Sequence, residues 1–219
     1  MKPQAVIFDL DGTLIDNNSY HIEAWKIFYK KIGREYSVED YLKNINGRIN
    51  RDIFNFMFGG GLTEDEIKRY SEEKEAMYRE LYAPYIQPIK GLTVFLEELQ
   101  YASVAKAIAT SGQGPNIDFM FQHVNIRQFF AAVVDATQIT KGKPDPEIFL
   151  KAAADVQADP SKCIAFEDSV AGIRSAKSAG MKVIGLATTH TREEIYEADY
   201  IINDYTEINL LQISGLLGV

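Results

Sequence analysis

Apolar residues fall along this chain in two rhythms. Short β-rich runs at Ala5 to Leu10, Val104 to Ala109, Val133 to Val134, Cys163 to Phe166, Val183 to Leu186 and Tyr200 to Ile202 alternate with amphipathic stretches. Short runs of this kind fit strands buried on both faces, and their alternation with helices is the mark of βαβ units around a parallel sheet. Helix boundaries are legible between them. Gly91 precedes Leu92 to Leu99, Pro115 precedes the Ile117 to Val124 segment, and Pro144 with Pro146 precede Ile148 to Val156. The pattern predicts an α/β fold: a Rossmann-like parallel sheet core with helices on both faces.

One stretch departs from this alternation. From Ser19 to about Tyr82 the pattern is helical throughout, which predicts an inserted all-helical domain of about four helices. Ile22, Trp25, Phe28 or Tyr29 and Ile32 recur at helical spacing and Gly33 ends the run, while Ser37 with Asp40 and Thr63 with Glu66 read as capping boxes. The Trp25, Phe28 and Tyr29 stripe is read as packing among the insert's own helices. Residues 1–16 and 86–219 are therefore assigned to the core and 17–85 to the insert, with turn-rich connections near Asp16-Asn17-Asn18 and Pro84 to Gly91 that suit a hinge. Gly59-Gly60-Gly61 is a loop, since no Gly-Lys-Ser/Thr follows to make it a phosphate loop.

Composition narrows the function. A chain of 219 residues, 46% hydrophobic, can bury a sizeable core. Its 31 acidic against 23 basic residues, net charge −8, argue against a nucleic-acid or anionic-membrane partner but not against a small anionic substrate. No run of about 18 uncharged apolar residues exists, so no signal peptide and no membrane span are expected. Cys163, the single cysteine, cannot form an internal disulfide and is expected as a small buried hydrophobe. These features fit the cytoplasm, and nothing in them demands more than a monomer.

Four segments carry candidate chemistry, three of them at the end of an apolar run and one in a loop before a helix. In Phe8-Asp9-Leu10-Asp11-Gly12-Thr13, Asp9 and Asp11 lie two residues apart and project to the same side of extended chain. Such carboxylates repel one another unless a cation joins them or one takes a proton, so they suit metal binding and a division of nucleophile and acid/base roles. The calcium-loop alternative fails because glycine comes fourth, after a strand. Ala109-Thr110-Ser111-Gly112 precedes a helix, where a hydroxyl and free N–H groups would hold phosphate, although alone this is ordinary turn chemistry. Lys143 stands before Pro144 in a rigid loop, and alone it reads equally as a solvated cation. Phe166-Glu167-Asp168-Ser169 brings a second acidic pair that needs a cation nearby. Open α/β sheets bind ligands beyond the C-terminal ends of their strands, where all four segments would converge.

The order of these motifs resembles the haloacid dehalogenase superfamily of phosphotransferases over nearly the whole chain. Asp9-Leu10-Asp11-Gly12-Thr13 is similar to its first motif, Thr110-Ser111 to its second, Lys143 to its third and Glu167-Asp168 to its fourth, with the insert similar to its helical cap. Tyr20-His21 with Ala24-Trp25-Lys26, Lys143 to Phe149 and Glu167 to Ile173 resemble the β-phosphoglucomutase subfamily. The resemblance implies that Asp9 attacks phosphorus to give an aspartyl phosphate, while Asp11 protonates the leaving oxygen and then activates the acceptor. It implies Mg²⁺ held by the Asp9 carboxylate, the Asp11 main-chain carbonyl and Asp168, with Glu167 a direct or more distant partner. Thr110 and Lys143 would bind the transferring group, Ser111 and Gly112 would contact substrate, and the cap positions His21, Arg51 and Lys74 would touch substrate or steady Asp11. The cap is expected to close over the core when substrate binds.

The resemblance leaves open what accepts the phosphoryl group. β-Phosphoglucomutases carry a Ser-Lys-Asn type phosphate grip after the second motif, whereas this chain has Gly112-Gln113-Gly114, and Asn46 stands near where a cap lysine is expected. Hydrolysis of a small phosphorylated metabolite, a sugar phosphate foremost, is therefore the first reading. β-Phosphoglucomutase is the alternative, followed by inorganic pyrophosphatase and a metabolite-binding protein that has lost activity.

Overall fold

Side chains alternate along the first strand, β1 (Ala5–Phe8). Val6 and Phe8 enter one apolar cluster while Ala5 and Ile7 enter another on the opposite face of the sheet. A strand wedged between two cores has no position for a polar side chain, which is why this run is apolar throughout. The computed structural model describes residues 2–218. After β1 come α1 (Asn18–Lys31), α2 (Val38–Asp40), α3 (Asn50–Phe58) and α4 (Glu64–Tyr82). Alternation then resumes with α5 (Leu92–Tyr101), β2 (Ala105–Ala109), α6 (Gly114–His123), β3 (Ala132–Val134), α7 (Glu147–Asp155) and β4 (Cys163–Glu167). The chain finishes with α8 (Val170–Ser178), β5 (Lys182–Leu186), β6 (Tyr200–Ile202) and α9 (Leu210–Gly215).

The sheet is parallel, in the order β3-β2-β1-β4-β5-β6. α5, α6 and α9 cover the face that holds Phe8, and α7 and α8 cover the other. Phe8 stacks on Phe166 at 5.1 Å between ring centroids and meets Phe130 edge-on at 5.9 Å. Burying one such side chain contributes about 1.5–3 kcal/mol. Chain order reverses between β1 and β4, which makes their C-terminal ends the switch point where open α/β sheets place ligands. Register adds precision. Phe8 pairs with Phe166, so Asp9 and Glu167 reach the end of the sheet side by side.

The insert follows its sequence signals. Thr63 and Glu66 form a full capping box at the start of α4, and the Ser37 hydroxyl accepts the Asp40 N–H to start α2, which runs on into a π turn at Tyr41–Ile45. Trp25, Phe28, Tyr29, Tyr41 and Phe54 pack in a cluster of the insert's own. Ala24, Tyr78 and Tyr82 belong instead to the cluster beneath the sheet, so α1 and α4 also pack against the core. No described helix is long and apolar enough to cross a membrane, and Cys163 is buried with a free thiol.

A candidate active site at the ends of β1 and β4

Three buried carboxylates, Asp9, Glu167 and Asp168, place an oxygen each within 4.8 Å of one another. Lys143 Nζ donates to Asp9 Oδ1 at 2.6 Å and to Glu167 Oε1 at 2.5 Å. The other Glu167 oxygen accepts the Ser169 N–H at 2.7 Å and the Ser169 hydroxyl at 2.9 Å, so both of its oxygens are committed. Glycines allow this density: a Cβ on Gly172 would overlap the Glu167 carboxylate, and one on Gly12 would overlap Asp168. Gly12 also has φ +72°, a conformation other residues rarely adopt.

Three acids share one ammonium, and the proton affinities of Asp9 and Asp168 show it. Burial pushes the Asp9 carboxyl up to about 8 against the pull of Lys143, with Glu167 and Asp11 adding to the rise. Asp168 is raised well above the usual carboxylate value by burial, then by Glu167 and Asp9. Burial lowers the Lys143 ammonium, but Asp9 and Glu167 outweigh it and hold the pKa above its ordinary value. Lys143 stays charged, while burial and the shortage of positive charge push Asp9 and Asp168 toward their protonated forms. An all-oxygen donor set short of positive charge suits a hard divalent cation.

Asp11 turns away from this trio. Its Oδ1 accepts from Asn17 Nδ2 at 2.5 Å and lies 3.5 Å from His21 Nε2, at the edge of hydrogen-bond range. Burial pushes Asp11 up, yet His21, Asn17 and the Lys74 charge outweigh it and leave the carboxyl below its usual value. His21 stacks on Tyr78 at 3.7 Å, and its Nδ1 lies 2.7 Å from the Lys74 ammonium, which also donates to Glu75 at 3.0 Å. Lys74 is buried because α4 turns Ile67, Ser71, Lys74, Glu75, Tyr78 and Tyr82 to one inner face. The structure thus brings His21 and Lys74 to Asp11.

The remaining sequence candidates divide. Ser111 and Gly112 line the cleft, and the Ser111 hydroxyl donates to the Gly47 carbonyl of the insert at 2.8 Å. Thr110 is buried at the end of β2, where its hydroxyl accepts the Gly112 N–H at 2.9 Å. Arg51 is a correction: it is exposed, lies 3.6 Å from Glu64, and does not line the cleft. Helical phase explains this, since Ile53, Phe54 and Met57 define the inner face of α3 and Asn50, three residues before Ile53, shares it while Arg51 does not. Asn50 and Arg48 line the cleft instead.

Sequence reasoning gave no role to several residues that shape the site. Asn18 and Thr189 both donate to Asp168 Oδ2, Asn18 at 3.2 Å. Thr188 donates to the Gly12 carbonyl at 2.6 Å, and Asn116 on α6 donates to Glu75 at 2.7 Å. Asn17 and Asn18 were legible as turn formers, but amides and hydroxyls carry no spacing signal that separates a site partner from a loop.

Comparison with known proteins follows the same lines. A family model described as haloacid dehalogenase-like hydrolase matches residues 6–186. Validoxylamine A 7'-phosphate phosphatase of Streptomyces hygroscopicus subsp. limoneus is 31% identical over 211 residues, covering 94% of this chain and 95% of that protein. The β-phosphoglucomutase of Bacillus subtilis strain 168 is also 31% identical, over 94% of this chain and 92% of its own. A solved haloacid dehalogenase hydrolase of family IA, variant 3, from Entamoeba histolytica superposes with a TM-score of 0.87 at 32% identity, covering 99% and 100% of the two chains.

Proposed function

We propose that this chain, which belongs to the haloacid dehalogenase-like hydrolase family on its β-phosphoglucomutase-like branch, is a metal-dependent phosphatase of a small phosphorylated metabolite. The observation that carries the reading is the buried Asp9–Lys143–Glu167–Asp168 cluster at the switch point of the sheet, with Asp11 beside it. The Asp9 and Asp168 carboxylates and the Asp11 main-chain carbonyl would hold Mg²⁺, and Glu167, both oxygens engaged, would position Lys143 and Ser169. When bound, the ion lowers the repulsion between anionic nucleophile and anionic substrate.

In this mechanism an Asp9 oxygen forms the bond to phosphorus while the ester P–O bond breaks and Asp11 delivers a proton to the leaving oxygen. The incoming phosphate dianion raises the proton affinity of Asp11 and so allows that role despite its low resting value. Water then attacks phosphorus as Asp11 takes its proton back, and the bond to Asp9 breaks. Lys143 and Thr110 stabilise the transferring group, and His21 with Lys74 fixes Asp11. Residues 17–85 act as a cap that excludes bulk water during transfer.

Phosphate release from a panel of sugar phosphates, measured with Mg²⁺ and with chelator, tests this reading. The expected result is metal-dependent release from at least one ester; no release from any member contradicts it. The β-phosphoglucomutase relative sustains a second reading, for which the sign is isomerisation of β-glucose 1-phosphate without net phosphate release.

A further inference from the structure

The cleft beside Asp9 encloses about 70 Å³. That is well below the roughly 300–1,000 Å³ of sites that enclose small-molecule ligands. A second cavity of about 590 Å³ lies between the insert and the core and shares Asn46 and Arg48 with the cleft as a common wall. Leu42, Val170 and Ala171 give this crevice an apolar side.

The common wall has unused donor capacity. Arg48 Nε is buried without a hydrogen-bond partner, and the guanidinium reaches the Lys43 carbonyl only at 3.4 Å. Lys74, the other long cation lining the cleft, is engaged by His21 and Glu75. A buried N–H left unpaired is unfavourable, and a ligand oxygen in the wall would relieve it. His190 continues the polar wall into the crevice, its Nε2 3.3 Å from Asn46 Oδ1.

We propose that the alcohol portion of the substrate passes Asn46 and Arg48 and occupies this crevice, with an oxygen near the ester accepting the Arg48 Nε–H. The inference rests on the phosphatase reading and narrows it to phosphate monoesters of bulky alcohols, hydroxylated beside the ester and apolar farther out, as in an aryl-substituted sugar. Arg48 is then the specificity-determining cation of the insert.

Three probes test the proposal: acetyl phosphate, glucose 6-phosphate and 4-nitrophenyl β-glucoside 6-phosphate, each with Mg²⁺. The wild type should prefer the aryl glucoside phosphate over glucose 6-phosphate by about tenfold or more in kcat/KM. Arg48→Gln should lower kcat/KM for the aryl glucoside phosphate about tenfold more than for acetyl phosphate. Ala171→Leu, which narrows the crevice, should depress the same ratio mainly through KM. Equal kcat/KM for the two sugar phosphates, or equal losses on every probe, overturns the crevice assignment while leaving the phosphatase reading intact. Absence of metal-dependent turnover on all three overturns both. Turnover of acetyl phosphate by each variant reports that it has folded.

Discussion

Lys143 lies between Asp9 and Glu167 with its ammonium fully buried, so replacing it strands two carboxylates without their shared cation. Lys143→Met should destabilise the metal-free protein by about 3–5 kcal/mol, read by denaturant titration. The same cluster sets a pH dependence. The folded-state pKa of Asp9 is raised from 3.8 to about 8, so its contribution to stability is full below the lower value and is lost as pH rises through the upper one. Asp168 is shifted in the same direction. The melting temperature of chelated protein should therefore fall between about pH 5 and pH 8, and added Mg²⁺ should raise it more at pH 8 than at pH 6. A chelated protein whose melting temperature rises across that window contradicts this electrostatic account.

At the scale of elements, β1 does two jobs: it carries the central apolar rows and aims Asp9. Phe8→Ala removes a ring that touches Phe95, Phe130 and Phe166, and should cost about 3–5 kcal/mol in a thermal or denaturant melt. Strands and crossover helices were legible because period and punctuation are local properties of the chain. The same holds for Asp9, Glu167 and Asp168, which stand where apolar runs end, whereas Lys143 in its loop was singled out by the order of the motifs. What was not legible depended on helical phase or on long-range approach. Arg48 lies in the turn before α3 and Arg51 in its first turn, and only the fold decides which faces the cleft. Lys74 was singled out only by the family resemblance, because its burial over the Trp25 ring at 4.8 Å depends on how α4 is turned. Asn116 meets Glu75 from 41 residues away, a pairing no local pattern announces.

Across the whole molecule, the insert touches the core at several points. Ser111 reaches Gly47, Asn46 reaches His190, and Arg79 and Glu75 of α4 hold Asn116 of α6 at 2.6 and 2.7 Å. Apolar packing joins them as well, since Tyr78 and Tyr82 of α4 meet Phe119 of α6 within the core's cluster. The connections at Asp16–Asn18 and Pro84–Gly91 run side by side, with Ile15 bridged to Pro88, so a hinge rotation there would part these hydrogen bonds and that aromatic contact. Small-angle scattering should give a smaller radius of gyration with Mg²⁺ and a phosphate mimic than without them. Identical envelopes in the two conditions contradict the role of residues 17–85 as a moving cap.

The central claim is that Asp9 itself receives the phosphoryl group. Acid quenching during turnover, borotritide reduction of any acyl phosphate to labelled homoserine, and peptide mapping test it directly. The account predicts label at position 9 in the wild type and neither label nor phosphate release in Asp9→Asn. Label on another acid, or phosphate release by Asp9→Asn at the wild-type rate, contradicts it.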